Sequence, residues 1–342
     1  MLINLRVSVT KTVICRFLCY MVRIIKNIIL ISLAVGSSML MAQPSTASYK
    51  IVEVTGLHDS LNYHFIENQA LYKEGWDTLV QPNFWRTLMT MDDDSALINI
   101  GSTRQIIKKV AVSDWNSYTD DEKNAIRDSI KKYYSLPEEE HVYMTSGKKS
   151  FYDFEKVMPS IGRGIKIFNE NKVDPFYAQA ILLIESPNKV QKSPVGAFGS
   201  FQIMKKVAIN LGLKVNKYED ERKDFDKSAW ASAKLIRTIC IPETNKILNE
   251  RGIKYDPNDL WYKFLVLHVY HAGAGNVKNA IDYINPCEGN MNLIVSLWQT
   301  EVGSFRNASQ NYSQLALASL MELDKIIYNN CKFIYYCPLN EI

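Results

Sequence analysis

No aspartate or glutamate occurs in the first 42 of the 342 residues. The same stretch carries Arg6, Lys11, Arg16, Arg23 and Lys26, followed by an apolar run at residues 28–36. A cationic start, a short apolar segment and a small residue at Ala42 are the layout of a secretory signal. The run is too short to span a bilayer, which takes about 20 apolar residues, so a permanent anchor is the weaker reading. Residues 1–42 therefore read as a signal peptide, and the protein as exported to the periplasm or cell envelope. Leu40 fits a cleavage motif poorly and Met21 opens a more compact leader than Met1, so the cut and the start both stay open.

An excess of charge is missing from the remainder. Five of the 40 basic residues sit in the leader, leaving 35 against 36 acidic ones. Nucleic-acid binding needs a basic stripe in the folded part, and the near-neutral balance gives none. Cysteine is also scarce. Cys15 and Cys19 leave with the leader, and Cys240, Cys287, Cys331 and Cys337 remain, none at a zinc-site spacing. Four cysteines in an oxidising compartment allow three connectivities, with Cys331 to Cys337 the simplest pair and buried free thiols the alternative. His268 and His271 stand three apart on a helix without an evident third ligand, so no metal is expected. Internal repeats and low-complexity tracts are absent.

About 300 residues follow the leader, enough for one large or two modest domains. Residues 43–150 mix short strand-like pieces, such as 49–54, with helical ones. Thr119-Asp-Asp-Glu122 reads as a capping box, and Ala125, Ile126, Ser129, Ile130 and Tyr133 then form one helical face. Residues 137–150, with an acidic triplet, Gly147 and paired lysines, read as an exposed connection and a domain boundary. Beyond it the pattern is helical, with amphipathic stretches at 151–168, 226–239, 260–271 and 312–329. The expected fold is a mostly α domain over 151–342, preceded by a smaller mixed α/β or α region.

Three segments carry chemistry. Asp174 and Pro175 open a helix whose Ile-Leu-Leu-Ile run ends at Glu185, followed by Ser186-Pro187. A carboxyl at a helix C-terminus in apolar surroundings has its pKa raised by the dipole and by desolvation, which suits a general acid. Taken alone, Glu185 is more often a solvent-exposed residue ending a core helix. The second segment, Ser193 to Met204, contains Gly196 and Gly199, which permit close approach of backbone to a ligand, or simply a glycine-rich turn before a helix. The third is the apolar helix ending Tyr270-His271-Ala272-Gly273, where Tyr270 is placed to bring a hydroxyl onto Glu185.

Glu185-Ser186, then Ser193-x-x-Gly196-Ala197-x-Gly199-x-x-Gln202-x-Met204, then Tyr270-x-Ala272-Gly273 resembles the ordered motif set of the lytic transglycosylases. The stretch from Asp220 to Leu235 is similar to their membrane-bound D type. The resemblance covers residues 151 to about 320 and implies a lysozyme-like α fold. It also implies Glu185 as the single acid/base, a cleft lined by Ser193, Gly196, Ala197, Gln202 and Met204, with Met204 on a GlcNAc, and Tyr270 orienting Glu185. Asn307 to Tyr312 resembles a further family segment that places Tyr312 at the cleft. Two departures bear on the loop contacts: the Glu185 to Ser193 interval is one residue short, and His271 stands where the family has asparagine, adding its own pH dependence.

The implied reaction cleaves the MurNAc-GlcNAc bond of peptidoglycan to 1,6-anhydroMurNAc with no cofactor. Most glycosidases use two carboxylates, and none lies between Glu185 and Glu219, which fits a single-acid mechanism. A hydrolytic muramidase of goose-lysozyme type and a non-catalytic peptidoglycan-binding envelope protein are the rivals. Glycan strands are the expected partner. Residues 43–150 are available for envelope protein partners or for covering the groove, and no peptidoglycan-binding repeat follows the catalytic part.

Overall fold

The computed structural model describes residues 50–56, 60–185 and 192–337. The leader and the Ser186-Pro187 helix stop lie outside them. The chain is mostly α-helical with three small sheets. A hairpin of β1 (Lys50–Gly56) and β2 (Asn62–Glu67) leads into α1 (Gln69–Lys73) and α2 (Val80–Thr90). A small unit follows, of β3 (Ser95–Ile100), β4 (Ile106–Ala111), α3 (Val112–Ser117), α4 (Asp120–Tyr133) and β5 (Val142–Ser146). The capping box at Thr119 and Glu122 is formed at the start of α4.

The helical part runs from α5 (Phe154–Glu170) and α6 (Phe176–Glu185) through a short hairpin, β6 (Ala197–Phe198) and β7 (Ile203–Met204), to α7 (Lys205–Leu211). Next, α8 (Phe225–Leu235) passes through a π-helical turn at Ile236–Cys240 into α9 (Ile241–Glu250). It ends with α10 (Leu260–Ala272), α11 (Ala274–Ile284), α12 (Met291–Gln299), α13 (Asn307–Asn330) and β8 (Cys331–Cys337). The four amphipathic stretches read from the sequence correspond to α5, α8, α10 and α13.

Helices α6 and α10 are the centre of the core. Every residue from Phe176 to Ile184, and every one from Leu260 to Val269, is buried. A helix apolar on all sides has to be enclosed, and α5 and α13 pack on α6 while α13 also packs on α10. The enclosing shell includes the N-terminal region: Ile51, Phe65, Trp76, Phe84 and Leu88 belong to the same core. Gln179, midway along α6 and fully buried, accepts from the Ile66 N–H at 2.8 Å and donates to the Ile66 carbonyl at 3.0 Å. Its amide thereby completes the edge of β2. The sheet order is β2-β1-β8, all antiparallel, so the first and last described strands are neighbours.

The β3–β5 unit adds a second small core of Ile98, Trp115 and Val142, while its Leu97 joins the main one. Arg104, at the β3–β4 turn, ties it to α13 through Asn307 and Asn311 at 2.8 and 2.6 Å. The main core thus draws on residues from both sides of residue 150, including Leu97, and residues 95–146 carry the additional small core.

Two sequence expectations are corrected. Residues 142–146, expected within an exposed connection, pair with β3 as an edge strand from Val142↔Ile100 to Ser146↔Ala96. The β-formers Val142, Tyr143 and Thr145 prevail over the flanking turn residues once a partner strand is at hand. Cys331 and Cys337 stand at opposite ends of β8. A strand rise of about 3.3 Å per residue sets their Cα atoms roughly 20 Å apart, against a limit of about 7 Å for a disulfide. Cys240 holds a buried free thiol.

Candidate active site

The helix that carries Glu185 is fixed at its start. Asp174 accepts the Phe176 N–H at 2.9 Å and pairs with the buried Lys263 of α10 at 2.7 Å. This cap and ion pair lock the register of α6, so that its last residue emerges at a fixed point on the cleft floor. Burial holds the Glu185 carboxyl well above its ordinary value of 4.5, at about 7, and the Tyr312 hydroxyl offsets part of that rise. No other acid contributes to the shift.

Three phenols surround this carboxyl. Tyr152, Tyr270 and Tyr312 are each pushed upward first by burial and then by the negative charge of Glu185. Their hydroxyls make different contacts. The Tyr270 hydroxyl donates to the Phe201 carbonyl at 2.7 Å and accepts from the Ser232 hydroxyl at 3.2 Å. Its one proton is committed to the Phe201 carbonyl of the loop. Tyr312, only 2% exposed, turns its hydroxyl to the Glu185 carboxyl. Among the described residues this buried hydroxyl has no other group to bond. Tyr152 was missed by the sequence reading, since nothing in its local pattern marks it.

The loop from Ser193 to Met204 is shaped by its own hydrogen bonds. The Ser193 hydroxyl accepts the Ala197 N–H at 2.9 Å, and the Ser193 N–H donates to the Ala197 carbonyl at the same distance. Gln202, in the left-handed region at φ 47°, donates its side-chain amide to the Gly199 carbonyl at 3.0 Å. Gly199 has φ 88°, and a Cβ there would overlap the Arg222 carbonyl. Close approach is thus required at Gly199, but to the protein's own backbone rather than to a ligand. Arg222, buried and paired with Asp220, donates to the carbonyls of Gly196 and Ile203 at 2.9 and 3.0 Å and so clamps both sides of the hairpin. Its role leaves no local mark in the sequence, because the contacts are made 19 to 26 residues away.

These elements enclose a cavity of about 220 Å³ lined by Glu185, Ser193, Ala197, Gln202, Met204, Tyr270 and His271, with Val195, Ile203, Val207 and Leu235 as apolar walls. Gly196 borders the adjoining cavity instead, and Tyr312 sits behind the wall. Glu185 is the one carboxyl among the described lining residues. The His271 ring stacks on Tyr312, and desolvation lowers its pKa from 6.5 to about 4, so it is neutral wherever Glu185 titrates. His268 points the other way, into the core, with Nε2 2.7 Å from the Ser313 hydroxyl. The two histidines do not converge, and the described residues contain no metal-binding cluster.

A buried carboxyl that holds a proton near neutrality, set in a polar-and-apolar cleft, can protonate a leaving oxygen and take a proton back. Among the described residues no helix is long and apolar enough to cross a membrane. No curated protein matches the chain. Residues 165–286 match the family model of the transglycosylase SLT domain, a stretch that holds Glu185, the loop and Tyr270, and this supports an SLT-type catalytic domain of lysozyme-like fold acting on peptidoglycan.

Proposed function

We propose that this chain is an exported peptidoglycan lytic transglycosylase in which Glu185 serves alone as general acid and then base. The observation that carries this reading is the Glu185 carboxyl itself: the sole acid among the described residues lining the cavity, with its pKa raised to about 7 by burial. At neutral pH a large share of it is protonated and able to donate to the glycosidic oxygen between MurNAc and GlcNAc. With no second carboxylate at hand to act as nucleophile, the N-acetyl group of the substrate assists at the anomeric carbon. The Glu185 carboxylate then takes the proton of the C6 hydroxyl, which closes the 1,6-anhydro ring. Tyr312 steadies the ionised carboxylate between these two steps. Ser193, Ala197, Gln202 and Met204 line the path of the glycan, and Tyr270 holds the loop that carries them. No metal or nucleotide enters this scheme. Residues 95–146, the unit with its own core, are the part we assign to envelope partners.

Digestion of purified peptidoglycan tests the reaction. Release of muropeptides ending in 1,6-anhydroMurNAc, one water lighter than hydrolysed ends, is the expected result. Reducing ends carrying solvent oxygen would instead identify a muramidase. Glu185→Gln should lower release by at least the order of 10²–10⁴ typical for loss of a general acid. Full activity in that variant, or no release from any wall preparation, overturns the proposal.

A further inference from the structure

Residues 186–218 contain six lysines and no acid of any kind. The fold gathers half of them. Lys192, Lys205 and Lys206, all exposed, line a second cavity of about 480 Å³ that shares Val195 and Met204 with the Glu185 cavity. The two cavities therefore adjoin. None of the three lysines forms an ion pair with a described residue, and Arg222, the remaining cation there, is consumed by Asp220 and the backbone. Three like charges brought to one concavity without a counter-charge repel one another, and an anion placed among them relieves that repulsion.

We propose that Lys192, Lys205 and Lys206 form a subsite for the free carboxylates of the peptide stems carried by the glycan, making stem charge a determinant of which strands are bound. This rests on peptidoglycan being the substrate. The chemistry follows from position: a stem hangs from a sugar next to the scissile bond, and the lysine-lined cavity adjoins the Glu185 cavity at Val195 and Met204. Lysine suits the task, as a mobile point charge that follows a flexible peptide, whereas the rigid arginine fork is used where geometry is fixed, at the hairpin clamp.

Binding separates this subsite from the reaction. Full-length Glu185→Gln protein is titrated with soluble glycan strands bearing free stem carboxylates, and with the same strands after conversion of those carboxylates to amides. The free-carboxylate strands should bind more tightly by about tenfold at low salt, with the gap narrowing as ionic strength rises. Adding Lys192→Gln, Lys205→Gln and Lys206→Gln should abolish the preference while leaving affinity for the amidated strands unchanged, which also reports that the fold is kept. Equal affinity of the parent for both strands, or a preference that survives the triple substitution, overturns the subsite. The reaction proposal is judged by product mass alone, so either can fail without the other.

Discussion

The ring of His271 lies flat against Tyr312, centroids 4.3 Å apart and planes 20° from parallel. Backed in this way, Tyr312 keeps its hydroxyl turned to Glu185, while Tyr270, on the same helix as His271, spends its proton on the Phe201 carbonyl. Two tyrosines at one acid thus have separable effects. Tyr312→Phe removes the group that lowers the pKa of Glu185, so the alkaline limb of the activity profile should move to higher pH. Tyr270→Phe should leave that limb in place and destabilise the loop, by about 1–2 kcal/mol for the lost buried hydrogen bond. Rate profiles and thermal unfolding of the two variants read this difference.

Activity should decline as pH rises through about 7, where Glu185 loses its proton. His271 is already neutral there, since its pKa is lowered to about 4. His271→Asn should therefore retain the same limb, measured as kcat/KM against pH. A profile whose limb disappears with His271 would assign the titration to the histidine.

Stability should show the same ionisation. In the folded chain Glu185 titrates at about 7, above its ordinary 4.5, so its stabilising contribution is complete below about 4.5 and lost as pH rises through 7. Glu185→Gln removes the buried charge. The variant should match the parent at pH 4 and exceed it by roughly 3 kcal/mol above pH 8. Denaturant titrations at the two pH values decide it, and a constant difference would place the carboxyl in water.

Gly196 and Gly199 both have positive φ, at 92° and 88°, but only Gly199 faces backbone. Gly196→Ala should cost about 1–2 kcal/mol from the left-handed conformation alone. Gly199→Ala also drives a methyl into the Arg222 carbonyl and should cost above about 3 kcal/mol, with loss of activity as the hairpin shifts. Equal costs in thermal unfolding would contradict the packing seen at Arg222.

Gln179→Leu should loosen the link between β2 and the helix that carries Glu185. The Ile66 N–H loses its acceptor, while its carbonyl keeps the Asn68 side-chain amide at 3.1 Å, a cost of about 1–3 kcal/mol. Hydrogen exchange at the Ile66 amide should accelerate more than at the middle of α10, and uniform acceleration would point to global unfolding instead.

The sequence by itself determined the local features. Asp174 and Pro175 begin a helix and the apolar run carries it to Glu185, because capping and periodicity act within a few residues. The capping box of Thr119 belongs to the same class. The tertiary structure alone decided which tyrosine faces the acid, since Tyr270 and Tyr312 both reach the site and only packing assigns each hydroxyl its partner. It alone joined β1 to β8 and set Gln179 against Ile66, 113 residues away in the chain. It also gathered Lys192 with Lys205 and Lys206. Such pairings depend on hydrogen bonds and burial between distant segments, and no pattern local to either partner encodes them.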